Sequence, residues 1–290
     1  MKWRALKQFT RGGGRFALLL LSLLLLCALF APWIAPQNPY DLTQLDVLDA
    51  RLEPGANSSD GHLHYWLGTD AQGRDMWSAI LYGLRTSVLV GVIATLGALT
   101  LGLLVGIVAA YFGGKTDAAL MRTVDIQLSF PSILIALVLL AVLGQGVDKI
   151  VYALIAAQWA YYARTVRSIA LSERRKEYID AAVCQGVTTL RILWRHLLPN
   201  CLPPLLVVAM VQIAAAITLE ATLSFLGLGL PITEPSLGLL IANGYNYLLS
   251  GKYWISVFPG LTLLLLILSI NLVGDRLRDM LDPRFALRTA

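Results

Sequence analysis

Six long apolar runs constrain this chain more than any other feature of its sequence. They lie at about residues 16–35, 86–112, 125–147, 148–170, 200–227 and 255–275. Each is long enough to cross roughly 30 Å of hydrocarbon at about 1.5 Å per helical residue. Of the 290 residues, 57% are hydrophobic and 14% are charged, whereas soluble domains carry about 25% charged residues. Because lipid cannot satisfy exposed backbone polar groups, these runs predict an all-α integral membrane protein built as a bundle of six transmembrane helices.

The distribution of Lys and Arg predicts the orientation of this bundle. If the spans alternate in direction, 18 of the 23 Lys and Arg residues fall on one side, in segments 1–15, 113–124, 164–195 and 276–288. The other side holds five, and its long loop 36–85 is acidic. Since cytoplasmic loops accumulate Lys and Arg, both termini are predicted to be cytoplasmic. The first run lacks a clean small-x-small cleavage site, so we expect an uncleaved helix.

These assignments predict the following organisation. A cytoplasmic segment (1–15) precedes the first transmembrane helix (16–35), an outer loop (36–85), a transmembrane core (86–275) and a cytoplasmic tail (276–290). The core includes a cytoplasmic loop at residues 171–199. In the second span, small residues recur at every fourth position and predict a face on which another helix packs closely: Ala94, Ala98, Gly102, Gly106 and Ala110.

The cytoplasmic loop contains the stretch "YIDAAVCQGVTTLRILWRHLLPN", a charged, small-residue insert in an apolar chain. Its first part predicts a short helix, one face of which comprises Tyr178, Ala181, Ala182 and Gln185. Gly186 suits the left-handed end of that helix. An amphipathic second helix then leads to Pro199, which is predicted to bend the chain into the fifth span. The small-residue face either admits the groove of a partner protein or belongs to an ordinary solvated helix.

The pattern Asp180-Ala181-Ala182-x3-Gly186-x9-His196-x-Leu198-Pro199 resembles the EAA loop of ABC importer permeases, with Asp and His replacing the usual Glu and Ile. Five further segments, in order along the chain, resemble the C-type permease subunits of dipeptide, oligopeptide and nickel importers. They are "APWIAPQNPYD", "WLGTDAQGRDMWSAILYGLRTSVLVG", "YFGGKTDAALMRTVDIQLSFPSILIAL", "LEATLSFLGLGLP" and "NLVGDRLRDMLDPR".

The resemblance implies the type I ABC importer permease fold, a place in the bacterial inner membrane with loop 36–85 in the periplasm, and a non-catalytic role as half of a translocation path. It implies as partners a second homologous permease subunit, two cytoplasmic ATPase subunits, a periplasmic or lipid-anchored solute-binding protein and membrane lipid, and no nucleic acid. ATP and Mg²⁺ belong to the ATPase subunits, and no cofactor is expected on this chain. The residues that the resemblance assigns to ATPase coupling are Glu177, Tyr178, Asp180, Ala181, Ala182, Gly186, Leu198 and Pro199.

Polar residues within the spans are the candidates for lining the path. Glu220 is the one carboxylate well inside an apolar span, and such residues usually face a bundle interior or a water-filled path. It either lines the path or hydrogen-bonds to neighbouring groups. Gln212, two helical turns earlier, and Gln158 in the fourth span are the other candidates.

A second candidate site lies in the outer loop, where a turn-rich element either meets the solute-binding protein or serves only to fold the loop. Its residues are Gly68, Thr69, Asp70, Gly73, Arg74 and Asp75.

Other chemistries fit the sequence less well. The "GGKT" at 113–116 has Ala109 where a phosphate loop needs glycine, so nucleotide binding is not expected. His62 and His64 lack further ligands nearby, so no metal site is predicted. An intramembrane protease would need a base at membrane depth, where no histidine falls, and an ion-coupled carrier would find only Glu220 there. For the substrate, peptides are the first expectation, with nickel or a metal chelate as the alternative.

Overall fold

The computed structural model describes residues 13–281 and is helical along most of that length. The helices are α1 (Gly13–Leu29), α2 (Ala31–Ile34), α3 (Met76–Phe112), α4 (Gly114–Leu128), α5 (Ser132–Leu143), α6 (Val147–Arg174), α7 (Glu177–Cys184), α8 (Thr189–Arg191), α9 (Leu198–Phe225), α10 (Leu237–Tyr245) and α11 (Trp254–Leu281). Two short strands, β1 (Ala56–Asn57) and β2 (His64–Tyr65), pair antiparallel. Most of the predicted segment 1–15 and the end of the predicted tail 276–290 lie outside the described residues.

Helices α3 and α6 form the centre of the bundle, and small residues make their contact possible. A side chain placed on Gly106 would come within 2.6 Å of the Ala163 carbonyl oxygen, and one on Gly102 within 2.8 Å of the Ala163 amide nitrogen. Because these positions lack side chains, the two helix backbones approach closely and make dispersion contacts with each other. The predicted packing role of the small-residue face is confirmed.

The predicted third span, 125–147, is wrong in its shape. Helix α4 ends at Leu128, α5 begins at Ser132, and the two axes meet at 85°. Pro131 lies at this break. It lacks a backbone N–H and disfavours helical geometry at the residue before it, which accounts for the break. Residues 114–124, predicted to be a polar connection, belong to α4 and are helical.

Helical turns run without interruption from Thr189 to Phe225, across the position of the predicted bend at Pro199. Residues 192–197 within this stretch form a π-helix. Its wider turn immediately precedes Pro199, which cannot donate a backbone hydrogen bond to the preceding turn. The predicted second loop helix and the fifth span are thus one helix.

The two ends of the bundle differ in construction. At one end, which we call the polar-loop end, residues 36–75 form a loop with two 3₁₀ turns and the β1–β2 hairpin. Helix α3 begins at Met76, ten residues before the end of the predicted loop 36–85. The short helix α10, which the sequence did not predict, packs between α9 and α11 at this end. At the other end, the α7 end, α7 connects α6 to the α8–α9 helix.

Three helices of the described chain are long and apolar enough to cross a membrane: Met76–Phe112, Thr189–Phe225 and Trp254–Met280. The bent pair α4–α5 makes a fourth if it counts as one span. Helix α1 is apolar but has 17 residues. By length and composition alone, the described residues therefore give three or four spans, fewer than the six predicted.

Candidate functional site

A groove runs along the bundle between α6 and α9, and it consists of two adjoining hollows. The first hollow, of about 520 Å³, lies next to the α4–α5 break and includes the predicted path residues Gln158 and Gln212. Its other polar side chains are Gln127, Ser132, Tyr161, Thr218 and Thr222. This part of the groove therefore offers uncharged amide and hydroxyl groups between apolar walls.

The second hollow, of about 670 Å³, continues the groove to the α7 end and shares Tyr161 and Gln212 with the first. Valine and proline residues of α9 form one wall, and α11 adds residues near its C-terminal end. Charged and amide groups occur here as Glu173, Asn200, Asp275 and Arg278. From Gln158 to Glu173 the groove follows α6 for about 22 Å, since each helical residue advances about 1.5 Å.

Glu220 does not belong to this groove. Its side chain is fully buried, and both carboxylate oxygens accept hydrogen bonds from serine hydroxyls. Ser87 on α3 donates to Oε2 at 2.9 Å, and Ser224 on α9 donates to Oε1 at 2.8 Å. Of the two roles left open by the sequence, the geometry of this chain supports the structural one, in which Glu220 joins α3 to α9.

The turn at residues 68–75 is buried as well, although it lies in the polar loop. Asp70 and Arg74 are 0% and 2% exposed, and Arg74 Nε donates to Asp70 Oδ2 at 2.6 Å. Arg74 also donates from Nη1 to the carbonyl oxygen of Ile232 at 3.0 Å, in the segment between α9 and α10. A buried arginine with an ionic partner and a carbonyl partner satisfies the requirement that buried charges be paired.

Further contacts attach this turn to the bundle. The indole nitrogen of Trp254, at the start of α11, donates to the carbonyl oxygen of Thr69 at 3.1 Å. Asp75 caps α3 by accepting from the Ser78 amide at 2.8 Å. Gly68 and Gly73 have φ values of +76° and +80°, in the left-handed region that favours glycine.

The burial of the turn bears on the two alternatives that the sequence left open, contact with a solute-binding protein or folding of the loop. Its six predicted residues are all buried: Gly68, Thr69, Asp70, Gly73, Arg74 and Asp75. Buried side chains leave no surface for direct contact with another protein, so the geometry supports the alternative reading, in which the motif folds the loop.

Helix α7 presents most of its side chains to solvent. Ile179 and Ala182 are 3% and 7% exposed and pack against Ile192. Ala182 therefore faces inward, which corrects the prediction that it shares an exposed face with Ala181. The exposed residues of α7 are Glu177, Tyr178, Asp180, Ala181, Val183 and Cys184.

Gly186 ends α7 as predicted. Its φ is +71°, its amide donates to the Val183 carbonyl at 3.0 Å, and the Val187 amide donates to the Ala182 carbonyl at 3.1 Å. These two bonds define a Schellman motif, and Val187 packs against the buried side of the helix. Leu198 is half-buried and Pro199 is exposed at the start of α9.

Of the predicted path residues only Gln158 and Gln212 line the groove, and sequence reasoning missed its other polar residues, among them Tyr161, Glu173 and Asn200. Tyr161 and Asn200 were inside predicted spans, and Glu173 was inside the predicted loop 171–199. A helical projection from Gln158 would have found Tyr161, which lies three residues further on and therefore on the same face. Glu173 and Asn200 reach the groove only because α6 and α9 pack side by side, which a local pattern cannot reveal.

Comparison with known proteins gives the family to which these features belong. Residues 102–287 match the family of binding-protein-dependent transport system inner membrane components, and residues 3–54 match the N-terminal TM domain of oligopeptide transport permease C. The chain belongs to the family of binding-protein-dependent transport system inner membrane components, and it is a multi-pass membrane protein. The resemblance inferred from the sequence is confirmed.

Three relatives represent the similarity over nearly the whole chain. A putative peptide transport system permease protein of Brucella suis is 40% identical, over 97% of this chain and 90% of the relative. The di/tripeptide transport system permease protein DppC of Pseudomonas aeruginosa is 37% identical, over 94% and 88%. The nickel transport system permease protein NikC of Escherichia coli is 35% identical, over 97% and 98%.

The fold is similar to that of a solved transporter. A chain of the methionine ABC transporter MetNI, in an inward-facing conformation, superposes with a TM-score of 0.59 and 21% sequence identity. The match covers 71% of this chain and 97% of that chain. At this identity the match defines the shared fold and carries no argument about substrate.

Proposed function

We propose that this chain is the permease subunit of an ATP-driven, binding-protein-dependent importer of di- or oligopeptides, and that the α6–α9 groove is its half of the translocation path. The observation that carries the proposal is the groove itself. It follows two core helices for about 22 Å and is open along one side, so a second surface must close it. A second, homologous permease subunit would supply that surface.

The lining of the groove supports peptides as the substrate. Amide and hydroxyl side chains such as Gln158, Gln212 and Thr218 can donate to and accept from a peptide backbone of any sequence. Charged groups occur where the groove reaches the α7 end. The similarity to NikC keeps nickel or a metal chelate as the second candidate substrate.

The arrangement of ends supports the rest of the proposal. The α7 end, which is rich in Lys and Arg, lies in the cytoplasm together with both termini, and the polar loop lies in the periplasm. The chain then crosses the bacterial inner membrane six times, with α1, α3, the α4–α5 pair, α6, α9 and α11 as spans. Membrane lipid surrounds it, and a periplasmic or lipid-anchored solute-binding protein delivers the substrate.

Helix α7 is the proposed contact with one of two cytoplasmic ATPase subunits, which bind ATP and Mg²⁺. Its exposed face presents acidic and small side chains: Glu177, Asp180, Ala181 and Cys184. Gly186, Leu198 and Pro199 then set the ends of the segment, and Ala182 holds α7 against the bundle. This chain itself carries out no chemistry and holds no cofactor.

Transport measured with the purified complex tests the proposal. The two permeases, the ATPases and the binding protein are placed in liposomes, and uptake of a labelled dipeptide and of radioactive nickel is followed with and without ATP. We expect ATP-dependent dipeptide uptake, and none from liposomes that hold this chain alone. ATP-dependent uptake of nickel with no uptake of peptide would favour the second substrate, and uptake by this chain alone would contradict the proposal.

Substitutions in the groove test its role as the path. We expect Gln158→Leu and Gln212→Leu to lower peptide uptake while the complex still assembles. Thr100→Val is the matched control, because its exposed hydroxyl lies outside the groove and donates only within its own helix. Equal uptake by all three variants would show that the groove is not the path.

The thiol of Cys184 tests docking of α7. It is exposed, whereas Cys201 is buried and Cys27 is half-buried. We expect a maleimide to label Cys184 in the isolated chain and to label it much less once the ATPase subunits are bound. Cys184→Ser supplies the background, and equal labelling in both states would contradict docking at this face.

A further inference from the structure

Tyr178 on α7 has a hydroxyl that joins the two helices of the groove wall. It donates to Glu173 Oε2 at 2.9 Å, and Asn200 Nδ2 donates to the same hydroxyl oxygen at 3.1 Å. Glu173 is in the last turn of α6, and Asn200 is in the first turn of α9. One phenol thus accepts from one helix and donates to the other.

Both partners of Tyr178 line the second hollow, where the groove reaches the α7 end. Each is also held by its own surroundings. Glu173 is 14% exposed and accepts from Lys176 through its other oxygen, and Asn200 donates to the His196 carbonyl oxygen at 2.6 Å. Displacement of the phenol is therefore passed to groups that are already fixed to the ends of α6 and α9.

The phenol stays a hydrogen-bond donor across the physiological pH range. Burial, and next the adjacent Glu173 carboxylate, raise the pKa of Tyr178 to about 12. Because the neutral phenol can both donate and accept, the two hydrogen bonds coexist. Tyr178 is 38% exposed, so part of its side chain remains at the surface of α7.

We propose that Tyr178 is a positioning residue that links movement of α7 to the width of the groove mouth between Glu173 and Asn200. The inference rests on the proposed function, in which an ATPase subunit moves α7. When α7 shifts, the phenol pulls or releases the ends of α6 and α9 together. The other exposed residues of α7 make the ATPase contact. The Tyr178 hydroxyl transmits the resulting movement of α7 to the groove and so couples ATP hydrolysis to substrate movement.

The test compares substrate transported per ATP hydrolysed in the reconstituted complex. Tyr178→Phe keeps the ring and removes both hydrogen bonds, and Asn200→Ala removes one of them from the opposite side. We expect each variant to assemble and to hydrolyse ATP, and we expect the transport-to-hydrolysis ratio of Tyr178→Phe to fall about tenfold. A factor of ten is about 1.4 kcal/mol, close to the net value of a hydrogen bond to a charged group.

Two controls separate a specific role from a general one. Tyr152→Phe removes an exposed phenol from α6 that has no hydrogen bond among the described residues, and it should leave the ratio unchanged. The double variant Tyr178→Phe with Asn200→Ala should be little worse than Tyr178→Phe alone, because both changes break one connection.

The outcomes are distinguishable from failure of the proposed function. If the wild-type complex shows no ATP-dependent uptake, the proposed function fails and this inference with it. If the wild type transports and Tyr178→Phe keeps its ratio, only this inference is overturned. Loss of ATPase binding in Tyr178→Phe would overturn it too, because Tyr178 would then be part of the docking surface.

Discussion

The two ends of this molecule use charged residues in opposite ways. At the polar-loop end, the turn at residues 68–75 buries an ionic pair of Asp70 with Arg74. Two hydrogen bonds, from Arg74 to Ile232 and from Trp254 to Thr69, attach the turn to other parts of the bundle. At the α7 end, the charged side chains of Glu177 and Asp180 are exposed, and α7 is held by two inward residues and one phenol. Both regions contain sequence motifs that resemble those of ABC importer permeases.

The comparison teaches that a motif's residues do not reveal by themselves whether they face a partner or the interior. Buried charge needs complete pairing, which fixes a loop in one geometry. Exposed charge on a short helix places little constraint on position and leaves surface for a partner. The turn at 68–75 is thus fixed in one geometry, whereas α7 is accessible.

Breaking the buried pair is expected to have the largest effect. Arg74→Met would remove the buried cation and the donors to Asp70 Oδ2 and to the Ile232 carbonyl oxygen, while backbone amides would still donate to Asp70 Oδ1. Removing one member of a buried pair typically costs about 3–5 kcal/mol. We expect a large drop in the melting temperature of the purified protein in detergent.

The control for this change is the exposed pair Lys149–Asp148, whose side chains are 37% and 58% exposed. Lys149→Met should change stability by less than about 1 kcal/mol. If both variants melted alike, the polar-loop end would not be the rigid end, and the comparison would fail.

The next effect concerns Glu220, which fastens α3 to α9 near the polar-loop end. Glu220→Ala would leave the hydroxyls of Ser87 and Ser224 without their acceptor, and we expect a loss of about 1–3 kcal/mol. Glu220→Gln keeps one acceptor oxygen and nearly the same volume, so it should be milder in the same melting experiment. Peptide uptake by assembled Glu220→Gln complex should be normal. Impaired uptake without loss of stability would instead indicate that Glu220 lines the translocation path.

Local patterns predicted what depends on local backbone geometry. The four-residue spacing of small residues in α3 gave its packing face, and Gly186 gave the end of α7. In both cases the signal lies within a few residues of the feature. The family resemblance was readable for the same reason, because its motifs are short and occur in order.

The errors have physical causes outside the reach of a local pattern. The break at Pro131 was not predicted, because the apolar run continues across it. The burial of Asp70 depends on Arg74 reaching Ile232, 158 residues along the chain, and that of Glu220 on Ser87, 133 residues away. Burial of a polar residue is a property of tertiary packing, so neither the turn nor Glu220 could be placed from the sequence.

A smaller effect is expected at the α7 end, where Gly186 sets the end of the helix. Nothing lies within 4 Å of a side chain added to Gly186, so only its positive φ opposes substitution. Gly186→Ala should cost about 1–2 kcal/mol, whereas Gly186→Asn, which tolerates this geometry, should cost less. Hydrogen exchange of the α7 amides measures this directly, because about 1.4 kcal/mol corresponds to a tenfold change in opening. Equal exchange in the two variants would mean that the Schellman motif at Gly186 does not limit the opening of α7.

The smallest expected effect is a pH dependence of stability that arises from Asp75 in the polar-loop end. Burial raises the pKa of the Asp75 carboxyl above its ordinary value of 3.8, although the hydrogen bonds from Ser78 oppose this. Ionised Asp75 is therefore less favourable in the folded protein than in the unfolded chain. That penalty is present above the folded-state pKa and disappears as the pH falls through it towards 3.8.

The measurement is the difference in melting temperature between wild type and Asp75→Asn from pH 7 to about pH 3, a range that extends below the ordinary carboxyl pKa of 3.8. Asn still caps α3, so we expect the difference to change in favour of the wild type as the pH falls. Exposed Asp41 supplies the opposite case, because hydrogen bonds from Thr43 lower its pKa and its contribution is lost in acid. The difference between wild type and Asp41→Asn should therefore change against the wild type. Parallel slopes for the two pairs would mean that Asp75 is not held in a buried environment, and the rigid construction of this end would lose its support.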